Sequence, residues 1–145
     1  PLPQRKAPVH WPPTERHNRS VVIFLTVCTK GRVPVLANDV FHLALRGAWE
    51  RADHWRVGRY VILPDHVHLF CAPGAWPPPP LKPWVAYWKR LIAQTTGARG
   101  LWQAQFWDTQ LRQHESYSAK WNYVQQNPVR HGLVNEADAW PYQGV

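Results

Sequence analysis

Hydrophobic and polar residues follow one another along this chain in patterns that predict four strands and three helices. Residues 20 to 29 form a continuous apolar, β-branched run, which is typical of a buried central strand. Residues 56 to 63 predict a second strand, and the turn residues Pro64 and Asp65 then lead into a third strand that begins at His66. Because this connection is short, the second and third strands should form an antiparallel hairpin.

The first two predicted helices lie on either side of this hairpin. Asn38 is a suitable N-cap for a helix reaching about Asp53, and Pro83 suits the first turn of a helix reaching about Thr96. The apolar stripe predicted for the first helix consists of Val40, Phe41, Leu43, Ala44 and Trp49. The stripe predicted for the second consists of Trp84, Val85, Trp88, Leu91 and Ile92.

The remaining segments complete the predicted fold. Residues 101 to 112 are short and aromatic and predict a fourth strand, and Ser116 can cap a last helix that Pro128 must end. The order strand, helix, hairpin, helix, strand, helix is typical of an antiparallel sheet with helices packed mainly on one face. We therefore expect an α+β, ferredoxin-like fold.

Length and charge narrow the class of protein. The 145 residues suffice for one domain, and 17 Lys plus Arg against 9 Asp plus Glu give a net charge of +8. This charge favours an anionic partner, nucleic acid first. Ten of the nineteen aromatic residues are Trp, whose rings either fill the core or stack on unpaired bases. Residues 1 to 19, basic and rich in proline, predict an extended arm that either lies on phosphates or is a solvated tail.

The two cysteines and the absence of long apolar runs bear on localisation. Cys28 and Cys71 lie in apolar, strand-like runs, which indicates buried thiols in a reducing compartment rather than a disulfide framework. No run approaches the roughly 18 apolar residues of a membrane span. We expect no membrane partner and a cytoplasmic protein.

The third predicted strand carries the first candidate for chemistry. Side chains alternate along a strand, so His66 and His68 share one face, whereas Val67, Leu69 and Cys71 share the other. Two imidazoles about 6.5 Å apart along a strand can converge on one cation. They can equally be the polar face of a half-buried strand, and their spacing leaves both interpretations open.

The last predicted helix carries the second candidate. Ser116, Lys120, Tyr123 and Asn127 lie on one stripe by the three-and-four spacing rule, beside an apolar stripe formed by Tyr117, Trp121 and Val124. The apolar stripe should pack on the sheet. Tyr123 is then either presented toward a polar site or an amphipathic residue at the helix boundary.

Four segments, in order, resemble the REP-associated tyrosine transposases, a branch of the single-tyrosine HUH transposases. They are Thr26-Val-Cys-Thr-Lys-Gly-Arg32, Val61-Ile-Leu-Pro-Asp-His-Val-His-Leu69, Trp102 with Phe106-Trp-Asp-Thr-Gln-Leu-Arg112, and Tyr123-Val-Gln-Gln-Asn-Pro-Val-Arg-His-Gly-Leu-Val134. The resemblance runs from about Val22 to Tyr142 and implies an HUH transposase-like catalytic domain over residues 20–145. The family commonly has Met where Leu63 stands and Asn where Asp65 stands.

The resemblance implies a set of roles for the matching residues. His66 and His68 would bind a divalent cation, Mg²⁺ or Mn²⁺, with Asn127 as a third ligand or its support. Tyr123 would be the nucleophile, and Lys120 would add positive charge. The implied reaction is nicking and rejoining of single-stranded DNA at palindromic, REP-like hairpins through a 5′-phosphotyrosine, without an organic cofactor. The resemblance also implies a bacterial, nucleoid-associated protein that is either a monomer or a dimer.

Other residues are candidates for DNA contacts. The cations are Lys30, Arg32, Lys89, Arg90, Arg99 and Arg130, each of which can also be an ordinary surface charge. Trp76 and Trp84 flank a proline run and either stack on bases or pin that loop to the body. Asp108 and Arg112, shared with the family, either position DNA or form a structural ion pair.

Two other functions are compatible with the same motifs. One is a replication initiator or relaxase of the HUH type, against which the short chain and the Asn-Pro-Val-Arg-x-Gly-Leu-Val segment from Asn127 to Val134 argue. The other is a domesticated, non-catalytic binder of structured DNA or RNA. Covalent capture of DNA on the protein distinguishes an enzyme from such a binder.

Overall fold

The computed structural model describes residues 21–112 and 114–145. The predicted basic arm over residues 1–19 lies outside the described residues. The elements, in chain order, are β1 (Val22–Cys28), α1 (Asp39–Arg51), β2 (Trp55–Leu63), β3 (His66–Pro73), α2 (Leu81–Thr96), β4 (Trp107–Leu111), α3 (His114–Gln125), α4 (Asn127–Arg130) and β5 (Gln143–Gly144).

The five strands form one antiparallel sheet in the order β4-β1-β3-β2-β5. β3, which carries both histidines, is therefore the central strand. The hairpin of β2 and β3 predicted from Pro64 and Asp65 is present. In the register of β1 with β3, His66 lies opposite Cys28 and His68 lies opposite Thr26.

One face of the sheet is covered by the two longest helices. Leu25 of β1, together with Val67 and Leu69 of β3, packs in one buried cluster with the apolar sides of α1 and α2. All five residues predicted for the inward stripe of α2 are buried. The α+β sheet with helices mainly on one face is thus confirmed.

The opposite face of the sheet carries the histidines and the last helix. Phe24, Val61, Leu63 and Phe70 form a second buried cluster with Val124 of α3. The half-buried rings of Tyr117 and Trp121 pack against this cluster, as predicted for the apolar stripe of the last helix. β3 turns Phe70 to this face. Phe70 therefore gives α3 an apolar surface to pack on, two residues after His68.

Three local predictions were wrong in detail. Asn38 does cap α1, by accepting a 3.0 Å hydrogen bond from the Phe41 amide. The apolar stripe of that helix differs, however, because Val40 and Leu43 are exposed and Leu45 and Ala48 are buried instead. The fourth strand spans only Trp107–Leu111, since the residues before it make a single bridge from Trp102 to Thr29. Ser116 is inside α3 rather than its cap, because that helix begins at His114.

Within the described residues, none of the helices combines the length and the apolar character that crossing a membrane would require.

Candidate active site

His66 and His68 lie side by side on the sheet face that packs against α3. Their ring centroids are 4.7 Å apart, and the ring planes are nearly perpendicular. His66 is 7% exposed and His68 is partly buried. The alternation of β3 therefore brings the two imidazoles together as predicted.

Asp65 and Arg32 hold the ring of His66. The Asp65 carboxylate lies 2.7 Å from His66 Nδ1, and its other oxygen accepts from Arg32 Nε at 3.0 Å. A carboxylate can only accept, so His66 Nδ1 carries the proton in this pair. The Nε2 atom is then the nitrogen with a lone pair to offer a cation.

Thr26 and Phe24 hold the ring of His68 from the neighbouring strand. Thr26 Oγ1 lies 2.8 Å from His68 Nδ1, and the Phe24 ring stacks on the imidazole with centroids 5.3 Å apart. Both Nδ1 atoms are thus occupied by protein groups. Fixing a histidine through one nitrogen leaves the other to act as ligand, an arrangement typical of metal-binding histidines.

The surroundings keep both imidazoles neutral. Burial lowers the pKa of His68 to about 3, helped by electrostatic interactions with His66, Lys120, His131 and Arg130. Burial also lowers the pKa of His66, and the Asp65 carboxylate partly offsets this effect. Neutral imidazole is the form that binds metal ions.

The low pKa of His68 predicts acid sensitivity of the metal-free protein. The unfolded chain takes up this proton near pH 6.5, whereas the folded chain takes it up only near pH 3, so acidification between these values favours unfolding. We expect the free energy of unfolding to fall by about 2 kcal/mol more between pH 7.5 and 5 in the wild type than in His68→Gln. Urea unfolding at both pH values measures this difference, and equal losses in the two proteins would contradict the pKa of His68.

Tyr123 and Asn127 are held by a common partner, Arg130. The Arg130 guanidinium lies 3.8 Å from the centroid of the Tyr123 ring and donates at 2.7 Å to the Tyr123 backbone carbonyl. It also donates to the Asn127 side-chain oxygen. Tyr123 is 63% exposed, whereas Asn127 is 8% exposed. The junction of α3 and α4 is therefore fixed around an accessible tyrosine.

Two further side chains connect these helices to the histidines. Lys120 Nζ lies 5.1 Å from the centroid of the Phe24 ring, which stacks on His68. The ring of His131, directly after α4, has its centroid 6.3 Å from that of His66. Lys120 thus brings positive charge to the Phe24 ring beside His68, and His131 brings a third imidazole near His66.

The donor set suits an ion with mixed nitrogen and oxygen ligands. Across residues 21–112 and 114–145, no cluster of three or more His, Cys, Asp or Glu side chains is arranged to hold a metal ion. The candidate ligands are the two imidazoles and the Asn127 amide oxygen, a set that would leave positions open. An amide oxygen has two lone pairs, so it can accept from Arg130 and still bind a cation. Two imidazoles and an amide oxygen are ligand types that a divalent ion can take together with a substrate oxygen.

The prediction that Trp84 stacks on DNA bases is wrong. This ring is 2% exposed, and its Nε1 donates to the Ala52 carbonyl at 2.6 Å, so no base can stack on it. Trp76 is 37% exposed but follows the end of β3 that is remote from the histidines.

The predicted cations divide between the two faces of the sheet. Lys89 and Arg90 lie on α2, which packs on the face opposite the histidines, and Lys89 donates to the Gln103 carbonyl at 2.9 Å. Burial lowers the pKa of Lys89. Arg130 lies at the site, and Arg32 lies at its edge, paired with Asp65. Lys30 and Arg99 are exposed.

Asp108 and Arg112 are not part of the histidine cluster. In β4, Asp108 pairs with Leu25, a residue of the opposite face, and its charge raises the pKa of the buried Cys71 thiol beyond the effect of burial. In the part of the chain that the structure describes, no ion pair joins Asp108 to Arg112. Arg112 is exposed just after the strand.

Three residues of the site were not predicted from the sequence. Thr26 reaches His68 only through the register of β1 with β3, which a single sequence does not reveal. His131 lies in the segment from Tyr123 to Val134, but no spacing rule predicts that it lies near β3. The sequence predicts only a turn residue at Asp65, although a carboxylate directly before a candidate metal ligand is a signal that could have been used.

Comparison with known proteins finds relatives of one kind. No protein-family model matches the chain. A curated relative from Escherichia coli (strain K12), a REP-associated tyrosine transposase, is 30% identical over 97 residues, which are 64% of this chain and 56% of the relative. A second relative, from Haemophilus influenzae, is 37% identical over 43 residues, or 30% of this chain and 24% of that protein. The chain thus matches little more than half the length of the first relative.

A solved structure shows the same fold. It is that of a REP-associated tyrosine transposase bound to a REP hairpin, and it superposes with a TM-score of 0.76. The match covers 95% of this chain and 81% of the other, with 21% sequence identity. Part of this chain is thus similar in sequence to a REP-associated tyrosine transposase, and its fold is similar to that of a solved structure of one.

Proposed function

We propose that this protein nicks and rejoins single-stranded DNA beside a hairpin, through a covalent bond between DNA and Tyr123. The observation that carries the proposal is the placement of an exposed tyrosine, with Asn127 and two cations, on the helices that cover the histidine pair. The sequence relatives are transposases, and the structural neighbour is bound to a REP hairpin. We infer the same class of substrate here.

The proposed reaction is a reversible exchange of one phosphodiester for another. Tyr123 Oη attacks the scissile phosphorus, the bond from phosphorus to the 3′-oxygen breaks, and that oxygen leaves with a proton as a free 3′-hydroxyl. The DNA remains attached to Tyr123 through its 5′-phosphate. A 3′-hydroxyl then attacks this phosphotyrosine and releases the phenol. No external energy source is needed, because the number of phosphodiester bonds is unchanged.

The side chains around Tyr123 have separate parts in this exchange. Arg130, stacked on the Tyr123 ring, restricts the orientation of the phenol and adds positive charge beside the incoming phosphate. Lys120 adds a second charge from the side of Phe24. A phenol is a weak nucleophile at neutral pH, so nearby positive charge of this kind favours its attack.

A divalent cation, Mg²⁺ or Mn²⁺, would be held by His66 and His68 through Nε2 and by the Asn127 side-chain oxygen. When bound, such a cation neutralises charge that develops on the scissile phosphate. Asp65 and Thr26 fix the two imidazoles in the required orientation. The metal dependence of the reaction is part of this proposal.

Replacing Asp65 by Asn, the residue common in the family, tests the support of His66. An amide still bonds His66 Nδ1 but removes the charge that makes the imidazole a better ligand, so we expect Mn²⁺ affinity to fall by about tenfold. Isothermal titration calorimetry measures this affinity. Asp53→Asn, on an exposed loop before β2, makes the same charge change away from the histidines and should leave it unaltered. Unchanged affinity in Asp65→Asn would remove Asp65 from the site.

Cleavage of hairpin-bearing DNA tests the function as a whole. The protein is incubated with a small library of single-stranded hairpins and Mn²⁺, and the products are separated under denaturing conditions. We expect one fragment with a free 3′-hydroxyl and a second fragment attached to protein. Tight binding without either product across the library would instead favour a non-catalytic binder of structured nucleic acid.

A further inference from the structure

The edge strand β4 presents a large aromatic ring on the same sheet face as the histidines. Trp107, its first residue, is 58% exposed, whereas the apolar anchor of the strand, Leu111, is 8% exposed. Trp107, Thr109 and Leu111 alternate onto the histidine face, and Asp108 and Gln110 lie on the other. Leu111 therefore holds β4 against the rest of the protein, and the packing of the strand does not explain the exposed indole of Trp107.

The register of the sheet places Trp107 in one row with His68. Trp107 lies opposite Thr26 on β1, and Thr26 lies opposite His68 on β3. Neighbouring strands are about 4.8 Å apart, so the backbones of Trp107 and His68 are separated by about 10 Å. Only the small Thr26 side chain, bonded to His68, stands between them in this row. The indole is thus within reach of a strand whose phosphate lies at the histidines.

The surroundings of Trp107 suit a nucleotide better than an apolar protein surface. The neighbours on its face, Thr26 and Thr109, are polar, and Lys120 lies over Phe24, which pairs with Thr109. Among the residues that the structure describes, no aromatic ring is stacked on Trp107. An exposed ring beside positive charge is the arrangement by which proteins bind unpaired bases.

We propose that Trp107 is the stacking platform for one unpaired base of the DNA strand, next to the phosphate that Tyr123 attacks. The inference rests on the proposed function and adds a binding site to it. Trp107 fixes where the single strand crosses the sheet edge, and so which phosphodiester arrives in front of Tyr123. Because every base has a flat face, this contact selects position along the strand rather than base identity.

Abasic scanning combined with variants of Trp107 tests this assignment. All proteins carry Tyr123→Phe so that binding is measured without cleavage. A hairpin with a single-stranded flank is prepared with one abasic site at each flanking position in turn, and dissociation constants are compared. In the parent protein, one position should weaken binding by roughly 5- to 150-fold when its base is missing, the range of a single base stack.

Trp107→Leu keeps an apolar side chain but has no aromatic face, so it should bind the intact DNA more weakly than the parent protein by the same factor. Removing the base at the sensitive position should then weaken the binding of this variant no further. Trp107→Tyr should retain most of the effect. Leu43→Ala, which removes another exposed apolar side chain on α1, should behave as the parent protein does.

The outcomes separate this inference from the proposed function. If the parent protein binds the hairpin DNA and Trp107→Leu binds it equally, with the same abasic profile, the platform is not Trp107. If the parent protein shows no preference for hairpin-bearing single strands over duplex DNA, the proposed function fails, and the platform fails with it.

Discussion

Tyr123→Phe is expected to abolish the denaturant-resistant adduct with hairpin DNA, by at least about a thousandfold, and to leave DNA binding within about twofold. The substitution removes only the hydroxyl oxygen that would form the bond to phosphorus. The phenyl ring still lies under the Arg130 guanidinium, so the junction of α3 and α4 should keep its structure. Adduct formation is read on a denaturing gel, and binding by fluorescence anisotropy of labelled DNA.

Tyr117→Phe is the matched control for this result. Tyr117 is on the same helix, but its ring packs 4.6 Å from that of Phe70 in the cluster between α3 and the sheet. The adduct should persist in this variant. Loss of the adduct in Tyr117→Phe, with its retention in Tyr123→Phe, would show that the nucleophile has been assigned to the wrong residue.

The second large effect concerns the histidine pair. His66→Ala or His68→Ala should reduce DNA cleavage by about a hundredfold or more and weaken Mn²⁺ binding to a similar degree, because each removes one of the two imidazoles proposed as ligands. Calorimetry with Mn²⁺ measures binding in the absence of DNA, so this readout does not depend on activity. Chelation of divalent ions should abolish cleavage by the wild type.

Folding must be monitored in these variants, since both histidines are largely buried. Thermal unfolding distinguishes a lost ligand from a lost fold. His54→Ala, an exposed histidine just before β2, should leave cleavage and Mn²⁺ binding unchanged. Wild-type cleavage that continues at full rate after chelation would contradict the role given to His66 and His68.

The parts of the site that could be predicted from the sequence are those set by spacing within one element. Alternation along a strand placed His66 and His68 on one face, and helical spacing grouped Lys120 with Tyr123. Their assembly on one side of the sheet needed one further fact, that α3 covers the face opposite α1 and α2. The apolar residue Phe70, two positions after His68, is the physical reason for that placement.

The parts that could not be predicted depend on contacts between elements. The bond from Thr26 to His68 and the position of Trp107 both follow from strand register, which becomes visible only when the strands are paired. Arg130 was predicted as a phosphate contact, yet its contacts with Tyr123 and Asn127 arise where the last helix breaks at Gln126 and restarts. Trp84 failed as a platform because an aromatic residue at helical spacing is usually part of the core.

The proposed reaction requires a covalent bond from Tyr123 to the 5′-phosphate of a cut DNA strand. Mass spectrometry of the adduct, after digestion with protease and nuclease, locates this bond. We expect a nucleotide mass on the peptide that contains Tyr123, together with a released DNA fragment whose 3′-hydroxyl a polymerase can extend. A modified Tyr117 peptide, or a released fragment blocked at its 3′ end, would contradict it.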